Sequence, residues 1–124
     1  FLKIMELVED KNLNNFNIKK YVNRTIFLIE KTYSEPVVFH DNSILPFHVK
    51  EPSNISLDDI EVFISTSDLI LIGTGEKNVL LNQDLIKIMQ ISGKGLEFMN
   101  TESACKTHNL LLSERRLFTS ILYP

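Results

Sequence analysis

The spacing of hydrophobic and polar residues changes after Pro52, and this change divides the chain into two halves. In the first half, short runs rich in Val, Ile, Thr and Phe favour strands, because such side chains pack well on a pleated surface. The residues at 41–43 are typical of a turn, and Pro46 favours an edge strand because proline cannot donate to a central ladder. The pattern predicts antiparallel strands over 24–33, 37–40 and 44–49.

The second half alternates between helical and strand spacing. Ser56 is a good N-cap for a first helix, and Leu57, Ile60 and Phe63 follow it at helical spacing. The near-continuous apolar run at 68–73 is typical of a strand that is covered on both faces. The remaining pattern predicts a helix over 82–92 that ends at Gly93, a strand over 95–99, a helix over 101–115 and a strand over 116–123.

The order of these elements predicts the fold class. The second half is β-α-β-α-β, and short connections of this kind give right-handed crossovers between parallel strands. With the antiparallel N-terminal strands added, we expect an α/β fold: a mixed β-sheet with helices packed on it. We assign 1–17, which shows no clear pattern, to an N-terminal extension and 18–124 to a single domain.

Composition limits the class of protein further. The chain of 124 residues has one cysteine, Cys105, so an intramolecular disulfide is excluded and a reducing compartment is favoured. We expect the bacterial cytoplasm, with the mitochondrial matrix as the alternative. The formal charge is −3 and the lysines and arginines are scattered, which argues against nucleic-acid binding. No apolar run approaches the ~18 residues that a transmembrane helix needs.

A glycine pair follows the apolar run, where nucleotide-binding loops often begin. Gly73-Thr74-Gly75 resembles the start of a dinucleotide fingerprint, but the position of the third glycine holds Asn78, and Glu76 would face a pyrophosphate. We therefore interpret the glycines as a sharp turn and expect no cofactor.

Strand order still places a candidate site at this turn. In parallel sheets, ligands bind beyond the carboxyl ends of the strands, and the segments 73–78 and 100–103 both follow such ends. We expect Gly73, Thr74 and Gly75 to lie beside the first turn of the helix that begins at Thr101.

That helix carries further candidate residues. Cys105 lies near its N-terminus, which with Lys106 lowers a thiol pKa, but Cys105 and His108 share the apolar face and are more simply read as packed core residues. Lys106 and Asn109 lie toward the polar side, where Asn109 either contacts a partner or caps a loop of its own domain. Neither His40 nor His48 stands at a zinc-like spacing from Cys105, so we expect no metal site.

The same region resembles a known family, the Mth938-like domains, which include the mitochondrial complex I assembly factor 3. The resemblance covers 18–124 and is specific over 68–114. Lys106 and His108 depart from it, since the family has Arg and Tyr there. The matching residues are Gly73, Thr74, Gly75, Thr101, Ala104, Cys105, Thr107, Asn109, Leu111 and Glu114.

The resemblance implies function as well as fold. It implies no established reaction, and because the sequence also shows no complete catalytic constellation, we expect a non-enzymatic protein-binding module. By resemblance, this module is linked to assembly of a respiratory or membrane complex through a peripheral contact. The alternative is a small-molecule or enzymatic role in the crevice near Gly73, Gly75 and Cys105. A homo-oligomer formed through the face of Lys106 and Asn109 is a third interpretation. The candidate binding residues are Gly73, Thr74, Gly75, Thr101, Cys105, Lys106, His108 and Asn109, with no catalytic residue and no metal ligand assigned.

Overall fold

The computed structural model describes residues 15–124, so most of the predicted extension 1–17 lies outside the described residues. In chain order the elements are β1 (Lys20–Val22), β2 (Thr25–Phe27), β3 (Thr32–Tyr33), β4 (Val37–His40), β5 (Ser43–Pro46), a 3-10 turn (Pro52–Asn54), α1 (Leu57–Ile64), β6 (Leu69–Gly73), α2 (Gln83–Ser92), β7 (Gly95–Met99), α3 (Thr101–Ser113) and β8 (Phe118–Leu122). Within this range, no helix is both long enough and apolar enough to span a bilayer.

The strands form two sheets, whereas the sequence pattern predicted one. β1, β2 and β3 make a small antiparallel sheet, and the other five strands make a mixed sheet in the order β5-β4-β8-β6-β7. The single strand predicted over 24–33 is wrong, because the chain reverses where the Leu28 amide donates to the Lys31 carbonyl at 2.8 Å. The reversal contains no glycine or proline, so nothing in the sequence pattern indicated a turn there.

The five-stranded sheet confirms the predicted β-α-β-α-β half. β6 runs parallel to both β7 and β8, while β4 pairs antiparallel with β8 and β5 with β4. Every residue of β6 is buried, as expected for a central parallel strand. Pro46 lies in the edge strand β5, and Asp41 and Asn42 take positive φ in the hairpin turn that precedes it.

Capping residues mark the start of α1 and both ends of α2 close to the positions that the sequence predicted. The Asp59 carboxylate accepts from the Ser56 amide at 2.8 Å and closes the start of α1. The Asn82 side chain accepts from two amides at the start of α2, and Gly93 ends that helix with φ 75°. α3 ends at Ser113, two residues earlier than predicted.

Each face of the five-stranded sheet carries a separate core. On one face, Ile70 and Ile72 of β6 contact the core that also contains α1 and α2. On the other face, Leu69 and Leu71 contact α3 and the small sheet. Because successive residues of a strand point to opposite faces, β6 serves both cores, and its last residue, Gly73, lies where β7, β8 and α3 converge.

Candidate functional site

The structure brings the glycine turn and the start of α3 together, and we call residues 73–75 with Thr101 the strand-end edge. The Thr101 amide donates to the Gly75 carbonyl and the Gly75 amide donates to the Thr101 hydroxyl, both at 2.8 Å. The Thr101 hydroxyl in turn donates to the Tyr123 carbonyl at 2.6 Å. One buried hydroxyl therefore joins the ends of β6, α3 and β8.

Gly73 is required here for close packing. Only Gly75 of the two glycines takes a positive φ, at 103°. A Cβ on Gly73 would lie 2.9 Å from Thr101 Oγ1 and 3.0 Å from both Ala104 Cβ and Leu122 Cδ2. The sharp-turn interpretation therefore holds for Gly75. At Gly73, the absence of a side chain lets α3 and β8 pack directly against β6.

The hydrogen bonds of Thr74 close the rest of the turn. Its amide donates to the Met99 carbonyl at 2.8 Å, and its hydroxyl donates to the Lys77 carbonyl at 2.6 Å. The same hydroxyl accepts from the Val79 amide at 3.2 Å. The amides of residues 74, 75 and 101 are thus all used within the chain, whereas a phosphate-binding loop directs such amides at its ligand.

Cys105 is a buried thiol with a strongly raised pKa. Its side chain packs in the core that α3 shares with the small sheet and is 7% exposed. Burial, with a smaller contribution from the charge of Glu102, raises the pKa of the Cys105 thiol to about 12. The nearby helix N-terminus therefore does not make this cysteine a thiolate, which is the form that reacts as a nucleophile.

His108 is also a core residue, and its two ring nitrogens are both occupied. Nε2 lies 2.9 Å from the carbonyl oxygen of Phe16, which can only accept, so Nε2 carries the proton. Nδ1 then accepts from the Ser120 hydroxyl at 2.8 Å. Burial lowers the pKa of His108 to about 4, against a smaller raising effect of the bond to Phe16. His108 is a neutral structural residue that joins α3 to β8.

The side chain of Asn109 forms hydrogen bonds within its own domain. Its side-chain amide donates to the Ile18 carbonyl at 2.9 Å, and its side-chain oxygen accepts from the Ile18 amide at 2.9 Å. Of the two roles that the sequence left open, the structure shows the internal one. These two hydrogen bonds hold the segment that precedes β1 against α3.

The exposed side of α3 remains open to solvent. Glu102, Lys106, Leu110 and Ser113 recur at helical spacing and are all exposed, and we call them the outer face of α3. Leu110 is 56% exposed, an apolar side chain between charged and polar neighbours. Of the predicted site residues, Lys106 is therefore the one that presents its side chain fully at the surface.

The hairpin of β1 and β2 is tied to the glycine turn beside this helix. Arg24 Nε lies 2.7 Å from the Glu76 carboxylate, and the Tyr21 hydroxyl donates to the Pro124 carbonyl at 3.1 Å. The Arg24–Glu76 pair is exposed to solvent, so it contributes little to the stability of the fold. The sequence indicated that the charge of Glu76 would disfavour a phosphate at this turn. In the structure, Glu76 pairs with Arg24.

Within residues 15–124, no group of three His, Cys, Asp or Glu side chains lies close enough to hold a metal ion. A cavity of about 590 Å³ opens at the opposite end of the five-stranded sheet, lined by residues from four separate segments of the chain. Sequence reasoning missed this cavity, because its lining forms no motif and comes together only in the fold.

The comparisons with known proteins agree on the family. A family model described as "Protein of unknown function (DUF498/DUF598)" matches residues 18–123. The chain is 31% identical over 122 residues to the "13 kDa major membrane protein" of Francisella tularensis, covering 96% of this chain and 99% of that one. It is 30% identical over 92 residues to the NADH dehydrogenase (ubiquinone) 1 alpha subcomplex assembly factor 3 of Xenopus tropicalis, covering 72% of this chain.

The chain spans only 50% of the length of that assembly factor. Among solved structures, the Mth938-like domain from Bordetella pertussis superposes with a TM-score of 0.72 at 20% identity, covering 90% of this chain and 87% of the other. At that identity the likeness shows the fold alone. Together the sequence and fold matches lead to one conclusion: the chain belongs to the DUF498/DUF598 family of Mth938-like, complex I assembly factor 3-like domains.

Proposed function

We propose that this chain is a non-enzymatic protein-binding module that contributes to the assembly of a respiratory or other membrane complex. The similarity to the frog assembly factor supports the assembly role, although that similarity spans half of that protein. The Francisella relative, whose name describes a membrane protein, supports a peripheral contact with a membrane complex. In this proposal the module works from the bacterial cytoplasm.

The strand-end edge carries the structural side of the proposal. Its hydroxyls and amides are hydrogen-bonded within the chain, and Thr74 and Thr101 are buried, so this edge is a rigid support for the neighbouring surface and not an open crevice. Protein surfaces that are already ordered lose less entropy when they bind. The outer face of α3 begins at Glu102, next to Thr101 of this edge, and on it Leu110 offers a partner an exposed apolar area one turn after Lys106.

The chemistry of the candidate residues supports binding over catalysis. The Cys105 thiol has a pKa of about 12, and the ring nitrogens of His108 are both hydrogen-bonded inside the core. Neither group offers the accessible nucleophile or base that the enzymatic alternative requires.

A matched pair of substitutions tests the proposed surface. Leu110→Asp places a charge on the outer face of α3, and Val62→Asp does the same on α1, across the five-stranded sheet; both side chains are exposed in the native chain. We expect Leu110→Asp to lower recovery of the co-purifying partner at least about fivefold, a loss of about 1 kcal/mol in binding. Val62→Asp should leave recovery unchanged. Equal recovery from both variants would count against the surface, and light scattering of the purified chain would show whether the partner is a second copy.

A further inference from the structure

One edge of the five-stranded sheet is left open by the strands that the structure describes. Within residues 15–124, β7 ends the strand order β5-β4-β8-β6-β7 and has a neighbouring strand on one side only. β7 is a regular strand of five residues that contains neither proline nor lysine. It therefore lacks two of the features with which proteins commonly protect a sheet edge from further pairing.

The hydrogen bonds to β6 show which backbone groups of β7 face outward. The Gly95 amide donates to the Asp68 carbonyl at 2.9 Å, at the start of a parallel ladder that continues to the end of β7. In such a ladder, residues that bond to one neighbour alternate with residues that face the other side. The amides and carbonyls of Leu96 and Phe98 therefore face away from β6 and offer two donors and two acceptors to a further strand.

The other sheet edges are less suited to accept a strand. β5, on the far side of the five-stranded sheet, contains Pro46. The next amide, that of Phe47, donates to the Pro36 carbonyl at 3.0 Å, so Pro46 faces outward, where it has no amide to donate. The edge strands of the small sheet, β1 and β3, are three and two residues long. Among the described strands, β7 is therefore the longest unblocked edge.

The side chains of β7 differ between the two faces of the sheet. Leu96 and Phe98 pack on the core that also contains α1 and α2, so they hold the outward backbone groups in place. Glu97 points to the opposite face, is exposed, and has no ion pair within residues 15–124. A strand added beside β7 is favoured when it places apolar side chains next to Leu96 and Phe98 and a cationic one next to Glu97.

β7 also adjoins the outer face of α3. The Thr107 hydroxyl donates to the Met99 sulfur at 3.6 Å, so this flank of α3 lies against the last residue of β7. Leu110 follows Thr107 by three residues and lies on the same side of the helix. A partner that contacts Leu110 is therefore close enough to reach the open edge.

We infer that the protein partner adds an extended segment to β7 as a further strand of the sheet, with apolar side chains on both sides of a lysine or arginine. This inference rests on the proposed protein-binding function and names the kind of segment that binds. Self-pairing is disfavoured by charge. The antiparallel register that pairs the outward groups of Leu96 and Phe98 in two copies places Glu97 opposite Glu97, and like charges directly opposite are destabilising.

Nuclear magnetic resonance of the full isotope-labelled chain tests the inference with two synthetic peptides. Acetyl-Thr-Val-Lys-Val-Thr-amide has the pattern that fits β7, and the matched peptide has Glu in place of Lys. We expect the Lys peptide to bind saturably and to slow the exchange of the Leu96 and Phe98 amide protons with water. The Glu peptide should bind at least about threefold more weakly. Glu97→Lys should reverse that preference, and Glu61→Lys, the same charge change at an exposed site on α1, should preserve it.

The contrary results are distinct. The inference is overturned if the Lys peptide leaves the exchange of both amides unchanged, or if Glu97→Lys and Glu61→Lys have the same effect on the preference. Slow exchange of both amides in the chain alone would also overturn it, because the edge would already be filled; a dependence on chain concentration would identify a second copy. If the peptides fail while Leu110→Asp still lowers partner recovery, this inference fails and the proposed function stands. The reverse pair of results keeps the open edge and removes the surface on α3.

Discussion

Replacing Gly73 with alanine measures how closely β6 approaches its neighbours. The new Cβ would lie 2.9 Å from Thr101 Oγ1 and 3.0 Å from Ala104 Cβ and Leu122 Cδ2. The Leu122 methyl can rotate away, but hydrogen bonds fix the Thr101 hydroxyl and the backbone of α3 fixes Ala104. Overpacking of this kind costs about 1–3 kcal/mol, and with two of the three neighbours fixed we expect the upper half of that range.

Urea unfolding followed by circular dichroism gives the loss directly. With a slope of about 2 kcal/mol per molar, typical of a small domain, the midpoint should fall by roughly 1 M. Gly75→Ala is the control, because its Cβ would meet nothing within 4 Å and its cost comes only from the φ of 103°. Ala104→Gly should offset part of the loss in Gly73→Ala and none of the loss in Gly75→Ala. A midpoint for Gly73→Ala within error of wild type would refute the close-packing argument.

Two further predictions concern the buried groups of α3. With a pKa of about 12, Cys105 should react with Ellman's reagent at pH 8 roughly two to three orders of magnitude more slowly in the folded chain than in guanidinium; equal rates would contradict its burial. The pKa of His108 is about 4 in the folded chain and 6.5 when unfolded, so the unfolded chain takes up the proton first. The free energy of unfolding should therefore fall as the pH drops from 6.5 to 4, by about 3 kcal/mol from this group, and His108→Gln should remove that part of the slope.

The second half of the fold could be predicted because each local signal agreed with the packing that the fold requires. The apolar run of β6 predicted a central parallel strand, and Ser56 and Gly93 marked helix ends that the structure confirms. Strand order also predicted that Gly73 and Thr101 would be neighbours. These features depend on short segments and on the order of the elements, and both can be read from a single sequence.

The small sheet and the site details could not be predicted in the same way. The reversal between β2 and β3 uses 28–31, ordinary residues that carry no turn signal. The role of Asn109 depends on Ile18, 91 positions away, and the cavity depends on segments spread from Phe16 to Phe118. Contacts of this range are set by tertiary packing, so no local pattern records them.

Site-specific photo-crosslinking in living cells tests the proposed function most directly. A benzophenone amino acid replaces Lys106 on the outer face of α3 in one strain and Lys87 on α2, across the five-stranded sheet, in a second; both lysines are exposed. We expect a discrete, light-dependent adduct at position 106 that mass spectrometry assigns to a subunit or assembly partner of a membrane complex, and no such adduct at position 87. The same adducts from both positions, or none from position 106, would contradict it.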